Sequence, residues 1–231
     1  MLRRQAAGRS ALREFRRLRR VAIREAWRDW LLWFAALVAV VVLAFVSDGL
    51  GQLLLAGCVG ALLAVGAMGW LIGGHVSSLP WMWGAEGERH TAAELQRLPD
   101  TWRVFHDLAD GKGNWDHVAI GPPGVYLIDS KTFRRPASVD GDGLRSGRIR
   151  TSGSFHRGQA VRMKETLEGG TGIATWVQAV VAVWGELPVA ETESEKVVYL
   201  DATLLTDWLQ RREPRLSPQQ VDELARVLER L

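Results

Sequence analysis

Hydrophobic and polar positions divide the chain into an apolar N-terminal part and an alternating C-terminal part. Two uncharged apolar runs cover residues 30–46 and 53–72. Each is long enough to cross the hydrocarbon core of a bilayer, which takes about 17–25 residues. The link "SDGLGQ" between them suits a helical hairpin at 30–73 whose two ends lie on the same side. A cleaved signal peptide fits less well because a second apolar run follows the first, and buried core helices are the other alternative.

The remaining pattern predicts a linker at 74–82 and then an α/β domain over 83–231. Interleaved strands and helices favour a mixed sheet covered by helices on both faces. A Gly/Ser/Arg-rich stretch after residue 133 is predicted to be a loop or short extra strands. The last helix should begin at Ser217, followed by Pro218 and by Gln220 as the partner in a capping box. The predicted elements are helices at 85–98 and 158–168, two terminal helices, and strands at 102–107, 116–120, 125–132, 176–185 and 196–201.

Charge predicts the orientation of the hairpin. Residues 1–29 contain ten arginines and three acids, whereas the link "SDGLGQ" has no basic residue. The positive-inside rule therefore predicts a two-span cell-membrane protein whose N-terminus and C-terminal domain are cytoplasmic. The segment 1–29 is expected to be helical and to lie on anionic lipid, with nucleic-acid contact as the alternative. Glycines in the spans, such as Gly57 and Gly60, would allow close helix approach and a homo-oligomer.

Overall composition adds two limits. The net charge of +3 among 231 residues reflects the N-terminal arginines, so it says little about partners of the C-terminal domain. The single cysteine, Cys58, lies within the second apolar run. A disulfide framework and a cysteine-based metal site are therefore excluded.

Candidate chemistry lies in the segment "NWDHVAIGPPGVYLIDSKT", residues 114–132. If two strands pair antiparallel about Gly-Pro-Pro-Gly with Ile120 opposite Val125, then Asp116 lies opposite Asp129. Lys131 shares their face, which is also the apolar face, whereas His117 points the other way and is expected to be structural or exposed. Opposed carboxylates repel.

A divalent cation such as Mg²⁺ or Mn²⁺ would compensate the repulsion between Asp116 and Asp129, because carboxylate oxygens are its preferred ligands. Lys131 could then polarise a water or neutralise charge on a phosphate. An ion pair between Lys131 and the carboxylates is the purely structural alternative.

A third acid follows from helical periodicity. Glu88, Ala92 and Leu95 fall on one stripe of the helix predicted at 85–98, and the leucine identifies that stripe as buried. Glu88 should therefore face the sheet. A favourable interaction with the N-terminal end of the helix dipole is the alternative reason for an acid at this position.

These blocks together resemble the nuclease-related domain (NERD), a branch of the PD-(D/E)xK nuclease superfamily. The resemblance rests on "GAEGERHTAAELQRL", "DHVAIGPPGVYLIDSKT", "RGQAVRMKETL" and "LSPQQVDELARVLERL", and it covers about residues 83–231. It implies a restriction-endonuclease-like αβα core that binds Mg²⁺ or Mn²⁺ and hydrolyses phosphodiester bonds. The site residues carried over from the family are Glu88, Asp116, Asp129, Lys131 and Gln159, of which Asp116, Asp129 and Glu88 would hold the metal.

Two positions depart from the family pattern. Asp129 stands where the family usually has glutamate, although the wider superfamily accepts either acid. The residues before Gln159 are "HRG" instead of an Asn-Pro lead-in.

The resulting expectation is a membrane-anchored, metal-dependent nuclease acting on nucleic acid, with DNA favoured, at the cytoplasmic face. Basic side chains after the acid-x-lysine block could contact the nucleic-acid backbone, and a flexible basic loop is the alternative. A non-catalytic module that binds nucleic acid or protein, and a scaffold that self-associates through the hairpin, are the rival functions. The basic side chains are Arg134, Arg135, Arg145, Arg148 and Arg150.

Overall fold

The computed structural model describes residues 34–36, 38–39, 42, 49–111 and 113–231. The basic segment 1–29 and most of the first apolar run, 30–46, lie outside the described residues. Helix α1, Leu50–Leu95, contains the second apolar run and the predicted linker. In the ranges given above, none of the helices has the length and apolar content needed to cross a membrane, so the transmembrane hairpin is not supported there.

Residues Trp83–Leu231 belong to one compact unit. The C-terminal part of α1 belongs to this unit, and the helix ends at Leu95, three residues before its predicted end. The remaining elements are β1 Arg103–Ala109, β2 Asn114–Gly121, β3 Gly124–Thr132, β4 Ser138–Asp140, β5 Gly143–Ser146, β6 Ile149–Ser152, α2 Gly153–Thr171, β7 Val177–Trp184, β8 Glu191–Ser194, β9 Val197–Asp201, a 3₁₀ turn Ala202–Leu204, α3 Leu205–Gln210 and α4 Pro218–Leu228.

A six-stranded mixed sheet with the order β1-β2-β3-β7-β9-β8 forms the centre of this unit. Strands β1, β2 and β3 pair antiparallel, β3, β7 and β9 pair parallel, and β8 is antiparallel to β9. The predicted α/β fold with a mixed sheet is confirmed, and it is compatible with a nuclease-like sandwich. Strand β8 was not predicted.

Each face of the sheet has its own hydrophobic core. Val118 and Leu127 belong to the core that contains Met163 of α2 and Leu224 of α4. Ile128 belongs to the opposite core, with Leu95 of α1 and Leu209 of α3. Successive residues of β2 and β3 thus alternate between two buried faces, which explains the uninterrupted hydrophobic runs 118–120 and 125–128 in these strands.

The arginine-rich stretch after β3 folds as a separate small sheet with the order β4-β5-β6. Of the two predicted alternatives for this stretch, short extra strands are confirmed, and residues 138–152 are not a loop without strands. Strand β6 ends at Ser152 and α2 begins at the next residue, so the small sheet leads directly into the helix that covers one face of the main sheet.

The predicted start of the last helix is confirmed. The Ser217 hydroxyl accepts a hydrogen bond from the Gln220 backbone N–H, and the Gln220 side chain accepts one from the Ser217 backbone N–H. Pro218 occupies the first helical turn. The capping box places α4 so that Val221 and Leu228 enter the core.

Candidate active site

The β2–β3 hairpin has the predicted register. Val118 lies opposite Leu127 and Ile120 lies opposite Val125, with the turn closing at Gly121 and Gly124. His117 pairs with Ile128 at the open end of the hairpin, and one further step of the same register sets Asp116 against Asp129. The two carboxylates therefore lie side by side on adjacent strands, on the face covered by α2.

Lys131 forms an ion pair with Asp129. Its Nζ lies 2.6 Å from Asp129 Oδ2, and both side chains are largely withdrawn from solvent. Burial alone would lower the pKa of Lys131, but the carboxylates of Asp129 and Asp116 act in the opposite sense and the pKa is raised. Lys131 is therefore a permanent cation at neutral pH, placed between two acids.

Asp116 is the electrostatically unfavourable member of the group. Burial raises its pKa well above the ordinary value of 3.8, and the negative charges of Asp129 and Glu88 raise it further. Lys131 and a hydrogen bond from the Ser130 backbone N–H lower the pKa but do not offset the increase. The ionised form of Asp116 is therefore disfavoured, and a bound cation would favour it.

Glu88 is positioned by the contacts of α1 with the end of β3. One turn beyond it, the Thr91 hydroxyl accepts hydrogen bonds from Ser130 Oγ at 2.7 Å and from Trp184 Nε1 at 2.8 Å. Gly87 packs so closely on Thr132 that a Cβ there would overlap the threonine hydroxyl. The charge of Glu88 acts on both Asp116 and Lys131, so α1 brings a third acid near them.

Helix α2 has two buried polar side chains on the stripe that faces the sheet. Gln159, which the family resemblance selected, lies on the buried stripe of the helix. One turn earlier on that stripe is His156, only 3 % exposed. Neither ring nitrogen of His156 has a hydrogen-bond partner among the described residues.

His156 is close enough to the acidic pair for the charges of Asp129 and Lys131 to act on it, although burial is the main cause that lowers its pKa. The imidazole is therefore neutral at physiological pH, with one donor and one acceptor unused. His156 was not among the residues predicted from the sequence. Its spacing of three from Gln159 was the available signal, because residues three apart share a helix face.

His117 lies on the opposite face, as predicted, and is fully buried. Its Nδ1 lies 2.7 Å from Nδ1 of His106 on β1. Burial, together with the charge of His106, lowers the pKa of His117 to about 3, so the ring is neutral. This confirms a structural position for His117 and separates it from the acids.

The five basic side chains assigned to nucleic acid are all exposed. Arg145 on β5 lies directly opposite Arg150 on β6. Arg145 also has a weak ion pair with Asp140, at 3.6 Å. Directly opposed like charges destabilise a strand pair.

The acids at this end of the sheet have the right chemistry for Mg²⁺ or Mn²⁺. Within the described part of the chain, no group of three or more His, Cys, Asp or Glu side chains is arranged to hold a metal ion. Mg²⁺ does not need such a group, because it usually keeps several waters and takes one or two carboxylates. Asp116 and Asp129 fit that requirement, and Glu88 contributes charge nearby without completing a three-ligand cluster.

Comparison with known proteins agrees with this geometry. No curated protein and no solved structure matches the chain. A family model does match, over residues 83–183, from the C-terminal part of α1 to the end of β7. That range contains all five predicted site residues and His156. The matching family is the nuclease-related domain, which supports the presence of such a domain in this part of the chain.

Proposed function

We propose that this domain is a metal-dependent nuclease that hydrolyses phosphodiester bonds of nucleic acid, with DNA favoured. The proposal rests on the cluster of Asp116, Asp129 and Lys131 on two neighbouring strands, in which the ionised form of Asp116 is disfavoured. A purely structural ion pair needs one acid for one lysine. Here two further carboxylates act on the same lysine, and the ionised form of one of them, Asp116, is disfavoured, a cost that a catalytic site would explain.

Asp116 and Asp129 would hold the Mg²⁺ or Mn²⁺, with Glu88 adding negative charge. When bound, the metal lowers the pKa of its water and neutralises phosphoryl oxygens. Lys131, held by Asp129, is placed to stabilise the negative charge that develops on the phosphate. His156 supplies a neutral donor and acceptor above the acids, where it can orient water or a phosphate oxygen, and Gln159 provides a second polar group one turn away.

Nucleic acid would reach this site along the small sheet β4–β6. Arg145 and Arg150 face the same side of that sheet, and β6 leads into α2, which carries His156 and Gln159. Phosphate contacts of this kind orient the substrate but do not select a sequence. Arg134, Arg135 and Arg148 would extend the positive surface.

The test is cleavage of single- and double-stranded DNA and of RNA by the full chain. We expect cleavage with Mg²⁺ or Mn²⁺ and none with EDTA. Asp129→Asn should reduce the rate by at least a thousandfold, because it removes both a metal ligand and the partner of Lys131. Glu223→Gln, an exposed acid of α4, is the matched control. Metal-independent binding without turnover in any condition would establish the non-catalytic binding module instead.

We further propose that the domain is held at the cytoplasmic face of a membrane by the apolar runs 30–46 and 53–72. The support comes from their sequence, from the flanking arginines, and from the exposed apolar side chains Leu62, Val65 and Met68 of α1. Membrane fractionation tests this directly. The full chain should remain with membranes after a carbonate wash, and extraction by the wash would contradict the proposal.

A further inference from the structure

A second cleft lies at the opposite end of the main sheet from the acids. It has a volume of about 540 Å³, which is in the range of small-molecule sites. Its floor includes Tyr126, near the beginning of β3, whereas Lys131 lies five residues further along that strand, roughly 16 Å away. The cleft is therefore separate from the proposed nuclease site.

Three aromatic side chains line the cleft: Tyr126, Trp176 and Trp208. Trp176, just before β7, is 56 % exposed, which is unusual for so large an apolar side chain. Trp208 of α3 lines the cleft as well, with its ring edge against Tyr126 at 5.7 Å between centroids. An exposed indole beside a buried one offers a flat surface on which a planar ring can stack.

Arginines converge on the same cleft. The guanidinium carbon of Arg212 lies 4.1 Å above the Trp208 ring, and its Nη2 is 2.7 Å from Glu191 Oε1. The charges of Arg212 and Arg215 both act on the Tyr126 hydroxyl, against the effect of burial, which raises the pKa of that tyrosine. Arg211 is a third arginine on the wall. An anion near the Tyr126 hydroxyl would therefore meet two guanidinium groups and an O–H donor.

The loop that carries Arg215 is fixed to the turn of the β2–β3 hairpin. The backbone N–H groups of Arg215 and Leu216 both donate to the Pro122 carbonyl, at 2.7 and 2.8 Å. This clamp joins the cleft wall to the Gly-Pro-Pro-Gly turn. The backbone of Arg215 is therefore held in place beside the turn.

We propose that this cleft binds a nucleoside phosphate, with the base stacked on Trp176 and the phosphate held by Arg212, Arg215 and the Tyr126 hydroxyl. Stacking on an aromatic ring and guanidinium contact with phosphate are the two interactions that recognise nucleotides without base selection. Glu193 and Glu213, also on the lining, can accept hydrogen bonds from sugar hydroxyls or base amino groups. The ligand is either a free nucleotide or the phosphorylated end of a strand.

Calorimetric titration of the full chain with AMP, adenosine, inorganic phosphate and a 5′-phosphorylated oligonucleotide tests this site. AMP should bind saturably, and adenosine and phosphate should each bind at least tenfold more weakly. Trp176→Leu and Arg215→Gln should each weaken AMP binding at least tenfold. Phe155→Leu and Arg226→Gln are matched controls, since Phe155 is also 56 % exposed and Arg226 is exposed on α4.

The outcome separates this site from the proposed nuclease activity. AMP binding should be unchanged in Asp129→Asn, so a failure of either proposal leaves the other standing. Competition between the oligonucleotide and AMP would identify a strand end as the source, and AMP binding without competition would identify a free nucleotide. Absence of saturable AMP binding at millimolar concentration, or wild-type affinity in both cleft variants, would overturn the proposal.

Discussion

At the residue scale, the site is defined by acidic side chains that the fold brings close together in a buried position. Asp116 and Asp129 occupy adjacent strands, Glu88 acts on the same region, and Lys131 is the one cation whose charge acts on Asp116 in this group. Each acid alone would suit an ordinary ion pair. Together they place Asp116 in conditions that favour its protonated form.

Replacement of Asp116 by asparagine should stabilise the folded domain at neutral pH. The pKa of Asp116 is raised in the folded state, so the folded state binds the proton more tightly than the unfolded chain. Stability should therefore fall as the pH rises from about 3.8 through the raised pKa. Asp116→Asn removes that loss, and its amide oxygen can still accept the hydrogen bond from the Ser130 backbone N–H. We therefore expect the free energy of unfolding at pH 8 to rise by an amount on the order of 1 kcal/mol.

Urea unfolding at pH 5 and pH 8 measures this gain, with Glu223→Gln as the control. From pH 5 to pH 8, the wild-type protein should lose more stability than Asp116→Asn. Added Mg²⁺ should reduce this difference between the two proteins. If Asp116→Asn is less stable than wild type at pH 8, the surrounding groups already stabilise the ionised Asp116 side chain.

His156 tests whether an unpartnered buried side chain belongs to the site. Because its ring lies within the influence of Asp129 and Lys131, we expect His156→Gln to lower the cleavage rate by about tenfold to a hundredfold, the effect of a lost polar contact near a metal. Phe155→Leu, at the neighbouring exposed position, should leave the rate unchanged. Equal rates and equal metal affinity in His156→Gln and wild type would assign His156 to the core alone.

At the element scale, the contact between α1 and the end of β3 places Glu88. A Cβ at Gly87 would overlap Thr132 Oγ1, whereas nothing lies within 4 Å of the corresponding position at Gly84. Gly87→Ala should therefore destabilise the domain by about 1–3 kcal/mol, the usual cost of overpacking. Gly84→Ala should be neutral or slightly stabilising, since alanine favours helix.

Combining Gly87→Ala with Thr132→Ala provides the decisive comparison, because the second change removes the overlapping hydroxyl. Thermal unfolding should show recovery of most of the lost stability in the double variant. If the loss persists there, the close approach of α1 to β3 does not determine the position of Glu88.

The opposed arginines of the small sheet should contribute to substrate binding through charge alone. Replacing Arg145 and Arg150 together by glutamine should weaken binding similarly for all sequences and reduce the slope of log affinity against log salt by about 2, one for each phosphate contact. Fluorescence anisotropy at several salt concentrations measures the slope. A slope that changes no more than that of Arg226→Gln would locate the nucleic-acid path elsewhere.

Some elements could be predicted and others could not, for physical reasons. The β2–β3 register was predictable because alternation and the Gly-Pro-Pro-Gly turn select the same pairing. Strand β8 was missed because "ETES" is a polar edge strand, hydrogen-bonded on one side to β9. Helix α2 begins five residues before its predicted start, where the Gly153 N–H donates to the Asp142 carbonyl, a tertiary contact that local sequence does not encode.

At the scale of the whole molecule, the main sheet separates two candidate sites. The acids and Lys131 lie at one end, beneath α2, and the arginine-lined cleft lies where β3 begins. Sequence periodicity could assign Asp116, Asp129 and Lys131 to one face, because they belong to one hairpin. It could not bring in His156 or the cleft, since these depend on how α2, α3 and the loop before α4 pack on the sheet.

The most direct test of the central claim is the Mg²⁺-dependent cleavage rate of wild type and Lys131→Met under single-turnover conditions. We expect measurable cleavage by wild type and a cleavage rate at least a hundredfold lower in the variant, with folding and substrate binding retained. Lys131 is the cation placed beside Asp129, and methionine preserves its length without its charge. Equal cleavage rates in the two proteins would contradict the assignment of this cluster as the active site.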